Sequence, residues 1–292
     1  MGPIKLLLAD VDGTLVTHQK VLTARAIASV QALARANIAF AITSGRPPRG
    51  MQMFVEPLGL TTPLAAFNGG RFVRPDLSLV EQHVLGRDAV EPILAIIAAH
   101  QLDSWIYHGN DWFVRERHGP HVDREEWTVK FPPTVVPDFA GQMDEVVKVV
   151  GVSDDLEAVA RCEADIVHQF STRVLCKKTT PKRDQPAAVF AARSQPYYVD
   201  VTHPQANKGA VVLALGKMLG IDASKVATIG DMPNDISMFE KSGLSIAMGQ
   251  SSEEVKRAAT HVTTSSEEEG FANAIERFIV GQIQGPNNGG RR

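Results

Sequence analysis

Ile4-Lys5-Leu6-Leu7-Leu8-Ala9, running straight into Asp10-Val11-Asp12-Gly13-Thr14, is the stretch on which the reading of this chain turns. The first half is a near-continuous apolar run, the pattern of a strand buried on both faces. The second half puts two carboxylates one residue apart where that strand ends. Asp-Gly then turns the chain, and Gly13 can take backbone angles that other residues avoid. In open α/β sheets the crevice beyond the carboxyl ends of the strands is where ligands bind. Asp-x-Asp-Gly also opens a calcium loop, but that loop needs a glutamate at its twelfth position, and Val21 stands there. Taken alone, the stretch is read equally well as a simple turn or as a catalytic pair.

The bulk composition narrows the class. A chain of 292 residues is long enough for a sizeable core and two domains. It is 44% hydrophobic and 22% charged, as in ordinary globular proteins. A formal net charge of -3 gives no general attraction to nucleic acid or to an anionic membrane. Cys162 and Cys176 form no Cys-x-x-Cys pattern, so they read as reduced thiols of a cytoplasmic protein, with no disulfide framework or zinc site. No run of about 18 apolar residues predicts a membrane span, and the first apolar segment is too short for a signal peptide. The tail from Gly281 to Arg292 is polar and Gly/Asn-rich, and is expected to be disordered.

Outward from the opening, a βα rhythm is legible. Thr23 is a suitable N-cap for a helix through Ala36, with Ile27, Val30, Leu33 and Ala34 on one face. Ile38 to Ile42 is a second buried strand, running into Thr43-Ser44-Gly45-Arg46-Pro47. Pro47 suits the first turn of a helix through about Leu58. Leu64 to Phe67 is a third strand, ending at Asn68-Gly69-Gly70, and Arg71–Val73 with Ser78–Val84 reads as a hairpin. This predicts a Rossmann-like α/β core with a parallel sheet and right-handed crossovers. Between residues 85 and 196 the character changes. Trp105, Tyr107, Trp112 and Trp127 cluster there, and the strands alternate more. The spacing predicts an inserted α+β domain with an antiparallel sheet covered by helices on one face. Its expected elements are a helix 88–100, strands near 104–108 and 111–115, a helix 120–129, a strand 145–151, a helix 154–164 and a strand 166–176. Tyr197–Val201 is read as rejoining the first sheet, followed by a helix from Lys208 to Leu219 and a strand ending at Gly230-Asp231. A short helix after Asn234-Asp235, a strand 244–248, a helix 252–259, a short strand at 261–263 and a helix 267–280 complete a core made of 1–84 and 197–280.

The strand ends then carry Asp10, Asp12, Ser44, Asn68, Asp231, Asn234 and Asp235 on one side of the sheet. Two carboxylates about 4 Å apart repel by roughly 4 kcal/mol at an effective dielectric of 20. They stay ionised together only around a cation, and oxygen ligands without clustered Cys or His favour Mg²⁺. Ser44 and Gly45, at a strand-to-helix junction, suit an anion, and Lys208 can add positive charge. A phosphoryl group so neutralised is open to attack by a carboxylate.

Asp10-Val-Asp-Gly-Thr14, Thr43-Ser44-Gly45-Arg46, Lys208-Gly209 and Gly230-Asp231-Met-Pro-Asn234-Asp235, in that order, resemble the haloacid dehalogenase (HAD) superfamily, and more closely its Cof-like sugar-phosphatase branch with a type IIB cap. The resemblance implies Asp10 as the nucleophile that forms an aspartyl-phosphate and Asp12 as the general acid/base. It implies Ser44 and Lys208 as phosphoryl-binding residues, with Asn234 near the phosphate and Asn68 and Gly69 in a lining loop. Gly45 and Arg46 belong to the same phosphate-side group, Arg46 more as a brace than as a substrate ligand. Mg²⁺ is implied on Asp10, on the main-chain carbonyl of Asp12 and on Asp231, with Asp235 acting directly or through water. Asn207, ahead of Lys208, is a departure that bears on where the lysine sits. The expected function is a Mg²⁺-dependent phosphatase of small phosphorylated metabolites, with phosphomannomutase-like phosphoryl transfer and non-catalytic phosphometabolite binding as the alternatives. The histidines of the insert show no metal spacing and read as surface residues, and Trp105, Tyr107 and Trp112 as its core. No P-loop is present.

Overall fold

The computed structural model describes residues 3–175 and 189–281, with the side chains of 171–175 left aside. The Cys176 reading and the expected tail, beyond its first residue Gly281, fall outside those residues. In chain order the first elements are β1 (Leu6–Asp10), α1 (Ala24–Arg35), β2 (Ala39–Thr43), α2 (Val55–Leu58), β3 (Leu64–Ala66), β4 (Arg71–Val73) and β5 (Leu79–Gln82). There follow α3 (Arg87–Ala99), β6 (Asp103–His108), β7 (Asp111–Val114), α4 (Val122–Val129), β8 (Thr134–Val135), β9 (Val146–Val152), α5 (Leu156–Leu175), β10 (Phe190–Gln195) and β11 (Tyr198–Thr202). The chain closes with α6 (Lys208–Leu219), β12 (Val226–Gly230), α7 (Ile236–Phe239), β13 (Leu244–Ala247), α8 (Glu253–Ala258), β14 (His261–Val262) and α9 (Gly270–Ala274), which passes into a π-helical turn over 275–280.

Two sheets organise these elements. The first has the order β14-β13-β12-β1-β2-β3-β4-β5, parallel from β14 to β3 and antiparallel at β4 and β5. β1 lies centrally, and its apolar run explains why. Leu7 and Ala9 pack into one core cluster, while Leu6 and Leu8 pack into the cluster on the opposite face. All four are fully buried, as a strand sandwiched between helix layers requires. The helix expected from Thr23 is capped by it, the Thr23 side chain accepting from the Ala26 N–H.

The second sheet has the order β10-β11-β9-β6-β7-β8. One face, with Ile106, Val149, Val199 and Val201, is covered by Val90, Ile93 and Ile97 of α3 and by Val159, Cys162 and Ile166 of α5. The other face carries Trp105, Tyr107, Val150 and Tyr198, which join the core cluster that includes Phe54 and Phe67. Phe67 meets Tyr107 edge-on, with ring centroids 5.5 Å apart. The chain crosses between the sheets twice, and the crossings touch where His83 stacks on His203 at 5.5 Å.

Three expectations need correction. The predicted helix 154–164 and strand 166–176 are one 20-residue helix, α5. Its buried positions Val159, Cys162, Ile166 and Phe170 keep a spacing of three to four residues straight through the expected break. The strand at Tyr197–Val201 does not rejoin the first sheet; β11 pairs antiparallel with β9, Asp200 opposite Val150 and Thr202 opposite Lys148. Tyr198, Asp200 and Thr202 alternate with Val199 and Val201, the period-two pattern of a strand with one helix-covered face. The inserted unit thus runs to Thr202, with β10 as its edge strand. Third, the segment after Pro47 forms two 3₁₀ turns and the single turn α2 in place of one helix. Arg46 Nη1 donates to the Gly50 carbonyl, which withdraws that acceptor from an α-helical ladder.

Ile166 is fully buried and Val167 is 44% exposed, so truncating the two should cost very different amounts. Ile166→Ala is expected to cost about 2–5 kcal/mol in urea unfolding, and Val167→Ala within about 0.5 kcal/mol.

Candidate active site

Asp10 ends β1, buried, and its Oδ1 accepts from the Lys208 ammonium at 2.6 Å. The same ammonium donates to Asp235 Oδ1 at 2.5 Å. Lys208 is the first residue of α6, and the Asn207 side chain caps that helix by accepting from the Ala210 N–H at 2.8 Å. The asparagine ahead of the lysine therefore fixes its place. Asp235 Oδ2 accepts from the main-chain N–H groups of Asp231 and Met232, both at 2.9 Å. A side chain at Gly230 would collide with Asp235, its Cβ falling 2.3 Å from the Asp235 Cγ. Asp231, just past β12, accepts from the Thr14 hydroxyl at 3.3 Å. Carboxylate oxygens of Asp10, Asp231 and Asp235 lie within 4.8 Å of one another.

The electrostatics of this cluster are unbalanced. Burial raises the Asp10 pKa well above the carboxylate range. The Lys208 charge opposes this, and the charges of Asp235 and Asp231 reinforce it. Burial and the Asp235 charge push Asp231 up to about 6. Burial works against the Lys208 charge, but Asp10 and Asp235 outweigh it and hold the ammonium above the usual lysine range. One ammonium cannot neutralise three buried carboxylates, so the cluster must take up protons or a cation.

Asp12 points elsewhere. Its carboxylate accepts two hydrogen bonds from the Arg46 guanidinium, Nε to Oδ2 at 2.8 Å and Nη2 to Oδ1 at 2.7 Å. Lys20 Nζ stands 2.7 Å from Oδ1. Burial alone would raise its pKa, but the hydrogen bonds and charge of Arg46, with Lys20, hold it well below the carboxylate range. Ser44 lies beside it, with Oγ 3.5 Å from Asp12 Oδ2, and accepts from the Arg46 N–H at 3.2 Å. Thr43 is the last residue of β2, as expected. Asp12, Lys20, Ser44, Gly45 and Arg46 form the floor of a cleft of about 160 Å³. Its roof comes from the second sheet and α4, with Trp105, Tyr107, Glu125, Lys148, Tyr198 and Asp200.

The other sequence-derived positions fall into place unevenly. Asn68 sits in the left-handed region with φ 56°; its N–H donates to the Ser44 carbonyl at 2.8 Å, and its buried Oδ1 has no partner among the described residues. Gly69 has φ 96°, and a Cβ there would fall 2.6 Å from Val211, so its small size serves packing against α6. Asn234 is exposed and is not among the residues lining the cleft; its carbonyl accepts from the Ser237 hydroxyl. Thr14 stands in the first motif but was given no role, although it donates to Asp231. Sequence reasoning missed Lys20, Glu125, Lys148 and Asp200, and also Gln250, whose Nε2 donates to the Gly13 carbonyl at 2.6 Å. Only tertiary placement reveals these, since none stands at a patterned spacing from the motifs.

The donors suit a hard divalent cation. Asp10, Asp231 and Asp235 are the cluster of possible metal ligands among the described residues, and every donor is a carboxylate oxygen. Asp235 already has Oδ1 on Lys208 and Oδ2 on two N–H groups. That leaves Asp10 and Asp231 as the carboxylates with freer oxygens, and Asp235 as the residue that positions Lys208 and the Asp231 backbone.

A family model described as haloacid dehalogenase-like hydrolase matches residues 7–275. The chain belongs to this family and is a hydrolase of the HAD type. A putative phosphatase of Haemophilus influenzae is 26% identical over 273 residues, covering 93% of this chain and 97% of that protein. Pyridoxal phosphate phosphatase YbhA of Escherichia coli is 27% identical, covering 94% and 99%. The fold is shared with a haloacid dehalogenase-like hydrolase from Bacteroides thetaiotaomicron, at a TM-score of 0.82, 24% identity and coverages of 94% and 99%. It is also shared with a solved HAD subclass IIB sugar phosphatase, at a TM-score of 0.76, 21% identity and coverages of 94% and 99%. The Cof-like, subclass IIB resemblance read from the sequence is thereby borne out, as is the α/β fold.

Gly13 has φ 82°, and a Cβ there would lie 2.5 Å from Asp231 Oδ2, whereas Gly220, with φ 67°, has open space around it. Gly220→Ala should therefore cost only the left-handed penalty of about 1–2 kcal/mol. Gly13→Ala should lower the urea midpoint further and displace Asp231. Equal losses in the two variants would refute the close-approach account.

Proposed function

We propose that the protein is a Mg²⁺-dependent phosphatase that hydrolyses monoesters of small phosphorylated metabolites through an aspartyl-phosphate on Asp10. The observation that carries this reading is the division between two aspartates two residues apart. Asp10 faces Lys208 and the acidic cluster, while Asp12 faces Arg46, Lys20 and the cleft. The lysine charge and a cation in the acidic cluster favour an ionised nucleophile at Asp10, and the cleft gives Asp12 access to the leaving group and to water. Relatives that include a pyridoxal phosphate phosphatase support the choice of small phosphorylated metabolites.

Asp10 attacks phosphorus through a carboxylate oxygen, and the alcohol oxygen leaves with a proton from Asp12. Asp12, now ionised, takes a proton from the water that attacks the aspartyl-phosphate, which regenerates Asp10 and releases phosphate. Ser44, the Gly45 main chain and Lys208 hold the phosphoryl oxygens. Asp10, Asp231 and the Asp12 carbonyl would hold Mg²⁺, which would supply charge neutralisation and orientation for the phosphoryl group. Arg46 and Lys20 keep Asp12 in the base form. A phosphoryl dianion entering the cleft competes with Asp12 for those cations and so lets it take up the proton that the first step consumes. The roof from the second sheet excludes bulk water from that step.

Asp10→Asn should fold as the parent does and lose turnover of p-nitrophenyl phosphate by at least about 10³-fold. Undiminished turnover by this variant would sink the mechanism.

Proton and metal compete for the same buried oxygens. With its pKa near 6, Asp231 binds a proton more tightly folded than unfolded. Its charge thus costs stability above about pH 6, and the cost fades as pH falls towards 4. Mg²⁺ should accordingly raise the melting temperature at pH 8 and do so much less at pH 5, with EDTA reversing the gain. A shift that is the same at both pH values, or none at pH 8, would count against cation binding here.

A further inference from the structure

Lys148 is the cation that the second sheet gives to the roof, beside Arg124 from α4. It stands on β9 between Tyr107 of β6 and Thr202 of β11, on the sheet face turned to the first domain, and is 7% exposed. An ammonium has three N–H donors. Among the described residues the acceptor within hydrogen-bond distance of this one is the Gly45 carbonyl, at a long 3.4 Å. Asp200 Oδ2 is 3.8 Å away, too far for a hydrogen bond, and the Tyr107 ring centroid lies at 4.4 Å. Asp200 itself is incomplete, because its Oδ1 is buried and has no partner among the described residues. Buried charges are normally paired and hydrogen-bonded. Here a buried donor and a buried acceptor stand side by side, both lining the cleft and both under-used.

Their position says what they would meet. The Gly45 carbonyl contacted by Lys148 is one residue from Ser44, where the phosphoryl group is placed. A group beside Lys148 and Asp200 therefore belongs to the part of the substrate next to the ester. Lys148 offers N–H to an oxygen, and Asp200 Oδ1 takes a hydrogen bond from a hydroxyl. Trp105, Tyr107 and Tyr198 add apolar surface around them. Adjacent hydroxyl groups match this set, since each hydroxyl donates and accepts, and the C–H edges of a polyol pack on aromatic rings.

We propose that Lys148 and Asp200 form a specificity pair that reads vicinal hydroxyl groups next to the phosphoester, so that polyol and sugar phosphates are favoured over esters of simple or aromatic alcohols. This rests on the phosphatase reading and deepens it by assigning the residues that recognise the leaving group. The phosphoryl chemistry stays with Asp10 and Asp12.

The test measures kcat and KM of the full-length protein on sn-glycerol 3-phosphate, D-ribitol 5-phosphate, n-propyl phosphate and p-nitrophenyl phosphate. The unmodified protein should favour the two polyol esters over n-propyl phosphate by at least about tenfold in kcat/KM, the scale of hydrogen bonds to charged groups. Lys148→Met and Asp200→Leu should each shrink that preference about tenfold or more, mainly through KM, and Lys148→Arg should keep more of it than Lys148→Met. No polyol preference in the unmodified protein would overturn the proposal whether or not the variants fold. So would variants that lose activity equally on all four esters, which would place the pair on the phosphoryl group or in the scaffold. Failure of the unmodified protein to release phosphate from any ester is a separate result, and it would remove the phosphatase reading itself.

Discussion

The Lys208 ammonium, buried between Asp10 and Asp235, is the contact on which the rest of the site depends. It ties the end of the first strand to the loop after β12 across more than two hundred residues of sequence, and the whole inserted unit lies in between. Each partner is fixed from a second direction. Asn207 caps the helix that begins at Lys208; Asp235 is pinned by two backbone N–H groups; Asp10 is held by a strand with no exposed apolar atom to spare. A buried ion pair is rarely worth much net stability, because desolvation consumes most of the attraction. Its value here is positional. It fixes one oxygen of Asp10 and leaves the other towards the acidic cluster.

The same logic explains how two aspartates so close in sequence come to different surroundings. Gly13 turns the chain in a conformation that a side chain would strain, and the turn sends Asp12 to the far side of the strand end. Arg46 meets it there with two parallel hydrogen bonds, the geometry that a lysine could not reproduce. Arg46 also takes the Gly50 carbonyl, and so links the protonation state of Asp12 to the shape of the segment after β2.

How much of this could be read from the chain follows from where each residue stands. Asp10, Ser44 and Asp231 were legible because they end near-continuous apolar runs, and parallel strands must end on the same side. Thr23 and Lys208 were legible because helix starts follow local rules. The α5 error came from reading β-branched and aromatic residues from 166 onward as a strand, although the buried spacing is helical as far as Phe170. The β11 error was one of pairing. Its sequence alternates correctly, but a strand does not state its neighbour. Lys20, Lys148 and Asp200 belong to a third kind. Lys20 meets Asp12 through the fold of the loop after β1, whereas Lys148 and Asp200 line the cleft only when two sheets are stacked, and nothing in spacing within the chain encodes that.

The stacking also resolves why the insert must be α+β. A fully helical lid would offer its polar residues on curved faces, several residues apart. An antiparallel sheet with helices on one side exposes every second residue of adjacent strands on the other, about 5 Å apart across the ladder. Tyr107, Lys148 and Thr202 are such a row, and Trp105, Val150 and Asp200 are the next. The roof of the cleft is thus a two-row array of side chains on rigid backbone. A change in one member leaves Asp10 and Lys208 where the first sheet puts them. The acidic cluster and the roof array therefore sit on separate sheets, which meet through the edge-on contact of Phe67 with Tyr107 and the long contact from Lys148 to the Gly45 carbonyl.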